Sequence, residues 1–249
     1  MKVKWISHRG ESIDAPENTL AAFRLANIRK TDGMECDVMF SSDGIVVVSH
    51  DAGTGRLGDR CRVIPDPTYA ELAEINMSGA FADQYPDERI PTLSEALECL
   101  GSGQEFFIEL KSDDSGLVPA IGKILEEKQI RPEQLVIIAR NPELITQTKR
   151  TLSGIRALWL PGPVRQYTDD ELIEELRAMG ADGVNASGSN EHLVSARLVE
   201  KLHSLGYLAG IACVEHPGQA ARIVDMGFDY ITSSRAAKLR YMVEKMRSS

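Results

Sequence analysis

Cysteine and aromatic residues are scarce in this 249-residue chain, which carries 4 Cys, 2 Trp, 6 Tyr and 6 Phe. Cys36, Cys61, Cys99 and Cys213 form no Cys-x-x-Cys pair, which excludes a zinc ribbon and a disulfide framework; they read as buried thiols in a reducing compartment. No apolar run reaches the length of a membrane span, so stable membrane insertion is not expected. The opening Met1-Lys2-Val3-Lys4-Trp5-Ile6-Ser7 is too short and polar for a signal-peptide core, and the expected address is cytoplasmic. Positive charge is also short, because 28 Lys plus Arg against 37 Asp plus Glu leave a formal net charge of −9. Nucleic acid and anionic membranes recruit clusters of Lys and Arg, so neither is an expected partner. Repeats, low-complexity tracts and linkers are missing too, which leaves no boundary for a second full domain within 1–249.

What the chain does contain is an alternation of short aliphatic runs with amphipathic helical patterns. Eight runs read as strands: Val3 to Ser7, Met34 to Phe40, Phe106 to Leu110, Leu135 to Ala139, Ala157 to Leu160, Gly183 to Ala186, Leu208 to Val214 and Tyr230 to Ser233. Helix punctuation lies between them, as where Thr168-Asp169-Asp170-Glu171 has capping-box spacing and opens a helix that stops at Gly180. Eight βα units in a chain of this length predict an α/β fold closed as a (β/α)8 TIM barrel, ahead of a doubly wound open sheet. The stretch from Ala52 to Arg89 breaks the rhythm with Gly, Asp, Pro and Arg, and reads as an insertion over the barrel mouth.

In such a barrel the chemistry sits where strands end at their C-termini. Three runs end in ionisable residues there: His8-Arg9-Gly10, Glu35-Cys36-Asp37 and Glu109-Leu110-Lys111. Strand alternation puts Glu35 with Asp37, and Glu109 with Lys111, on common faces. Asp43-Gly44 between two β-type runs signals a two-residue hairpin that would oppose Ser42 to Ile45 and Asp37 to His50. On its own Glu35-x-Asp37 would be a solvated strand edge, but apolar neighbours and the paired His50 favour a site. Three carboxylates aimed at one point need a cation among them, and oxygen ligands select a hard ion such as Mg²⁺ or Ca²⁺. Histidines at 8 and 50 would serve as an acid and base pair, and Arg9 and Lys111 carry charge suited to a phosphate. Together these parts describe metal-assisted phosphodiester cleavage.

The motifs His8-Arg9-Gly10, Ala15-Pro16-Glu17-Asn18-Thr19, Ala22-Phe23, Glu35-Cys36-Asp37-Val38, Asp43-Gly44 and His50-Asp51 resemble the glycerophosphodiester phosphodiesterases. The resemblance continues through Ile90-Pro91-Thr92-Leu93 and Glu109-Leu110-Lys111 to Gly227-Phe228-Asp229-Tyr230-Ile231. It implies a TIM barrel that hydrolyses a small-molecule glycerophosphodiester to an alcohol and glycerol 3-phosphate with one divalent cation. By that pattern His8 and His50 are the acid and base, Glu35, Asp37 and Glu109 hold the metal, and Arg9 and Lys111 hold phosphate. Ala212-Cys213-Val214-Glu215 departs from the family's Trp-Thr-Val-Asn, and Ser233-Ser234 from its Thr-Asp.

Glu17 and Asn18 read chiefly as the start of a helix, with Glu17 as an orienting group. The loops Pro161-Gly162-Pro163 and Asn185 to Gly188 fall at the active end and are candidates for substrate contact. Three other activities use similar residues. A lysophospholipase D-like enzyme would need a wide apolar entrance, which the polar insertion does not supply. A non-catalytic barrel that binds glycerophosphodiesters or phosphate has no need of two histidines. A barrel aldolase or epimerase would want a lysine deep in a strand, away from three acids. Exposed apolar patches on barrel helices would admit a homo-oligomer, and nothing in the chain selects one.

Overall fold

The computed structural model describes residues 2–162, 166–188 and 191–248. Among these residues nine strands run Lys4–Ser7 (β1), Gly33–Phe40 (β2), Val46–Val48 (β3), Glu105–Leu110 (β4), Leu135–Ala139 (β5), Arg156–Trp159 (β6), Gly183–Ser187 (β7), Leu208–Ala212 (β8) and Tyr230–Ser233 (β9). β3 folds back antiparallel on β2. The other eight are parallel and close into a barrel, because β1 pairs with both β2 and β9. Helices separate the successive parallel strands, so the chain forms the (β/α)8 barrel that its alternation predicts.

Parallel strands in a barrel are buried on both faces, which is why β5 reads Leu-Val-Ile-Ile-Ala without a polar residue. Alternate side chains pack inward, where Ile6, Phe107, Val136, Ile138, Leu158, Leu160 and Tyr230 fill the barrel. Their neighbours Phe106, Ile108, Ile137 and Trp159 face the helices in the larger outer core. The helix Asp169–Met179 starts at the expected capping box, with Thr168 N donating to Glu171 Oε2 at 2.8 Å, and it ends at Gly180 with φ +67°. At the N-terminal ends of the strands Glu105 Oε1 takes Lys4 Nζ at 2.9 Å and Arg156 Nη2 at 2.8 Å, while Arg156 Nη1 donates to the Tyr230 hydroxyl at 2.5 Å. This polar plug closes one end of the barrel and leaves the other for chemistry.

The hairpin differs from its expected register by one residue. Phe40 pairs with Val46, and Ser41 N donates to Ile45 O at 3.0 Å, so the loop is Ser42-Asp43-Gly44 with Gly44 at φ +77°. A three-residue turn with a left-handed glycine has replaced the two-residue turn. Asp37 therefore sits opposite Ser49, whose N–H donates to Asp37 O at 2.9 Å, and His50 lies one residue beyond the pairing.

Residues 52–89 carry three short helical turns and a core of their own. Ile64, Leu72, Ile75 and Met77 pack with Met39 and Val47 of the hairpin and with Ile90, so much of the apolar surface of the segment is spent against β2 and β3. Cys36 and Cys99 are buried, as expected, but Cys61 and Cys213 are exposed. Cys61 lies in the segment 52–89, and Cys213 follows β8 with φ +61°. No helix among the described residues is long and apolar enough to cross a membrane. Pro163 lies outside the described residues.

Candidate active site

The parallel register of β2 and β4 places Asp37 directly beside Glu109. Glu35, two residues earlier on the same face, completes a group whose ligand oxygens all lie within 4.8 Å of one another. Glu35 and Asp37 are buried, and Glu35 Oε1 and Asp37 Oδ1 accept no hydrogen bond. Burial, reinforced by the charges of Asp37 and Glu109, pushes the Glu35 carboxyl well above the usual carboxylate range. Orphaned, mutually repelling oxygens of this kind fit a hard divalent cation, and the cluster is able to hold one.

Cationic side chains close over the acids. Lys111 Nζ lies 3.0 Å from Glu109 Oε1 and 3.5 Å from Asp37 Oδ1. Arg9 Nε is 3.3 Å from Asp37 Oδ2, and its backbone N–H donates to Glu35 Oε2 at 2.9 Å. Arg9 adopts φ +56°, a left-handed conformation uncommon outside glycine, and Gly10 follows at φ +79°. A Cβ on Gly10 would stand 2.5 Å from the Ala22 backbone, so this tight turn after β1 admits glycine alone.

The two histidines arrive on separate loops. His8 follows β1 and is held by its N–H to Ser233 O at 2.8 Å, with Nε2 at 3.9 Å from Glu35 Oε2. Burial, then the charge of Arg9, lower the His8 pKa to about 4 against the opposing pull of Asp37 and Glu17, so the ring is neutral at pH 7. His50 Nδ1 bonds Asp51 Oδ1 at 2.6 Å, which leaves Nε2 available. Burial opposes ionisation of Asp51, but the bonds from His50 and Arg56 prevail and hold its carboxyl below the usual range.

All seven candidate residues thus lie at the barrel mouth, and the structure adds three more. Asn18 is not the helix cap: Thr19 takes that place, and Asn18, at φ +57°, donates its Nδ2 to Asp37 Oδ2 at 2.8 Å. Asn tolerates the left-handed region, which was the available signal in Pro16-Glu17-Asn18-Thr19. Asp51 bonds His50 Nδ1. Arg56 bonds Asp51 and Glu17 from within the insertion, where no periodic pattern marks it. Glu17 Oε1 accepts Arg9 Nη1 at 2.8 Å, the contact that an orienting group would make.

Residues 8–236 match the model of the glycerophosphoryl diester phosphodiesterase family. The chain belongs to this family. Glycerophosphodiester phosphodiesterase 1 of Homo sapiens is 35% identical over 153 residues, covering 60% of this chain and 46% of the human protein. A glycerophosphodiester phosphodiesterase of Caldanaerobacter subterraneus is 37% identical over 131 residues, 53% of this chain and 52% of that protein. The chain therefore spans about half the length of the curated relatives it matches. Among solved structures, an Oleispira antarctica phosphodiesterase in complex with the product sn-glycerol-3-phosphate superposes with a TM-score of 0.86 at 25% identity, covering 98% of this chain and 97% of that one.

The two departures from the glycerophosphodiester phosphodiesterase pattern touch each other. Glu215 accepts from Ser234 N at 2.8 Å, Ser234 Oγ at 2.7 Å and Ser233 Oγ at 3.1 Å. The loops after β8 and β9 are thereby tied together by the altered residues themselves. Asn185, a candidate for substrate contact, is buried within β7 with Oδ1 unpartnered.

Proposed function

We propose that this chain hydrolyses glycerophosphodiesters to an alcohol and glycerol 3-phosphate, with Mg²⁺ or Ca²⁺ held by Glu35, Asp37 and Glu109. The observation that carries the reading is the pair of buried carboxylate oxygens without hydrogen bonds, framed by Arg9 and Lys111 and flanked by two histidines. Family membership and the product in the Oleispira antarctica structure support the substrate class. When bound, the cation offsets the charge that develops on the phosphoryl oxygens. Arg9 and Lys111 hold the phosphodiester by its non-bridging oxygens. One histidine takes the proton of the attacking oxygen, which belongs either to water or to a neighbouring substrate hydroxyl whose cyclic phosphate water then opens, while the other donates to the alcohol oxygen as its P–O bond breaks. For His50 the moving proton is on Nε2, because Nδ1 is committed to Asp51.

Ile64, Leu72, Ile75 and Met77 of residues 52–89 are buried against the hairpin and do not form an acyl-chain entrance, which supports a water-soluble diester over a lysolipid. In this reading the chain works as one barrel with 52–89 inserted, and its unpaired thiols suit a reducing compartment such as the cytoplasm. The test is a coupled assay for glycerol 3-phosphate release from a panel of glycerophosphodiesters, with Mg²⁺, Ca²⁺ or EDTA and with His8→Ala as control. Release that needs the cation and vanishes in the variant is expected. Undiminished release in EDTA would refute the three-carboxylate site, and release of a phosphorylated product from lysolipids alone would move the substrate.

A further inference from the structure

His50 and Arg9 stand on different loops, yet a single guanidinium ties both in place. Asp51 accepts from His50 Nδ1 on Oδ1 at 2.6 Å and from Arg56 Nε on Oδ2 at 2.6 Å. The same guanidinium spans both oxygens of Glu17, with Nη1 at 3.0 Å from Oε2 and Nη2 at 2.6 Å from Oε1. Glu17 Oε1 in turn accepts Arg9 Nη1 at 2.8 Å. The chain of bonds His50, Asp51, Arg56, Glu17, Arg9 is continuous, and its central member is the only one supplied by the insertion.

The backbone around Arg56 is anchored for this task. Thr54, in the same short turn, is buried, and its hydroxyl donates to Arg60 O at 2.6 Å and accepts from Arg62 N at 2.9 Å. Gly53 and Val63 bridge across the base of the loop. The Arg56 side chain itself is 46% exposed. An exposed ion pair adds little to stability, so three hydrogen bonds to two carboxylates here are better explained by geometry than by folding. A planar fork presents its donors to both partners in fixed directions, an alignment that a single ammonium reproduces only in part.

We propose that Arg56 is a positioning residue which locks His50 and Arg9 into one arrangement, so that segment 52–89 is part of the catalytic apparatus. This rests on the reading of His50 and Arg9 given above. The signature is a loss of turnover out of proportion to any loss of stability.

The experiment compares Arg56→Met, Arg56→Lys, Asp51→Asn, the double variant Arg56→Met/Asp51→Asn and His50→Ala, using glycerophosphocholine with Mg²⁺ and a melting curve for each protein. Arg60→Met is the control, because Arg60 is an exposed neighbour paired only loosely with Glu74 at 3.5 Å. Arg56→Met should lower kcat/KM by about 10- to 100-fold, as removal of orienting partners does, with Tm close to wild type. Arg56→Lys should recover part of that loss, and guanidinium at low concentration should partly restore Arg56→Met. The double variant should be no worse than about threefold below the poorer single variant, because both changes break one path. If Arg56→Met turns over like the wild type while His50→Ala is inactive, the positioning role is overturned and the reaction stands. Equal losses in Arg56→Met and Arg60→Met, or fully multiplicative losses in the double variant, would also overturn it. Full turnover by His50→Ala would remove the reaction reading and this proposal with it.

Discussion

Exchanging Glu35 for Gln removes one charge from the acidic cluster and keeps its shape. The ligand oxygens of Glu35, Asp37 and Glu109 lie within 4.8 Å of one another. Two like charges at that spacing repel by roughly 3 kcal/mol at an effective dielectric constant of about 20. Arg9 and Lys111 offset part of this, and the raised Glu35 pKa means that proton uptake offsets more. A gain of about 1–3 kcal/mol is expected for metal-free Glu35→Gln, whose new amide can also donate to the neighbouring carboxylates. In a chain of this length that raises Tm by about 2–12 °C in EDTA. Cation at about 100 times its Kd stabilises by about 2.7 kcal/mol, which is a rise of roughly 5–10 °C in wild-type Tm. The variant, left with two carboxylates, should show little of that rise and no turnover.

Calorimetry in EDTA and in Mg²⁺ therefore tests whether the cluster is a cation site. If the cluster exists to hold a cation, the advantage that the variant has in EDTA shrinks or reverses when metal is added. A metal-free variant that melts below the wild type, or one that responds to Mg²⁺ as fully as the wild type does, would refute the account of Glu35 as a destabilising ligand.

Asn18→Gly should keep the left-handed turn at no backbone cost but release Asp37, lowering turnover by about 10- to 100-fold with Tm nearly unchanged; the same Tm with full turnover would dismiss the Asn18 amide as an orienting group. At the opposite end, Glu105→Ala strands Lys4 and Arg156 and should cost about 2–3 kcal/mol in urea unfolding, while turnover per folded molecule stays as it was. Glu17 has its pKa lowered in the fold because, against burial, the bonds from Arg56 and Arg9 prevail. Its folded value lies below its unfolded one, so its contribution is present above the ordinary carboxylate range near pH 4.5 and is lost as pH falls through the folded value. Glu17→Gln should flatten that acid limb in a stability–pH series, and an unchanged limb would show that Glu17 carries none of it.

Element existence was legible because parallel strands buried on both faces must be apolar over their whole length, as β5 is. The site was legible for the complementary reason, since Glu35, Asp37 and Glu109 break strands that otherwise carry no charge at their centres. The hairpin shows where local pattern stops being sufficient. Asp43-Gly44 marks a turn either way, and only the tertiary structure chooses the three-residue loop in which Gly44 alone is left-handed. A bond outside the hairpin bears on that choice: Asp43 Oδ1 accepts Tyr69 N at 2.9 Å from the insertion. A segment distant in sequence thus helps to hold the turn, and no reading of residues 37–50 alone includes it.

The same limit explains why Asn18 reads in the sequence as a helix start and why Asp51 and Arg56 carry no role there. Each acts on a neighbour and not on a reactant, so its chemistry has meaning only once the loops are assembled. Asn18 works through Asp37, Asp51 through His50, and Arg56 through Asp51 and Glu17. The altered loops after β8 and β9 follow this logic at a larger scale. Glu215 alone is an odd acid beside an acidic site, and Ser233-Ser234 alone is a plain turn. Joined by three hydrogen bonds they form one rim of the barrel, with Arg235 Nε 3.5 Å from the same carboxylate. Replacing Glu215 by Asn without changing the serines should therefore loosen that rim. The exchange becomes neutral only when both loops change together, which a double-mutant cycle on KM across diesters of differing alcohols would display as non-additivity.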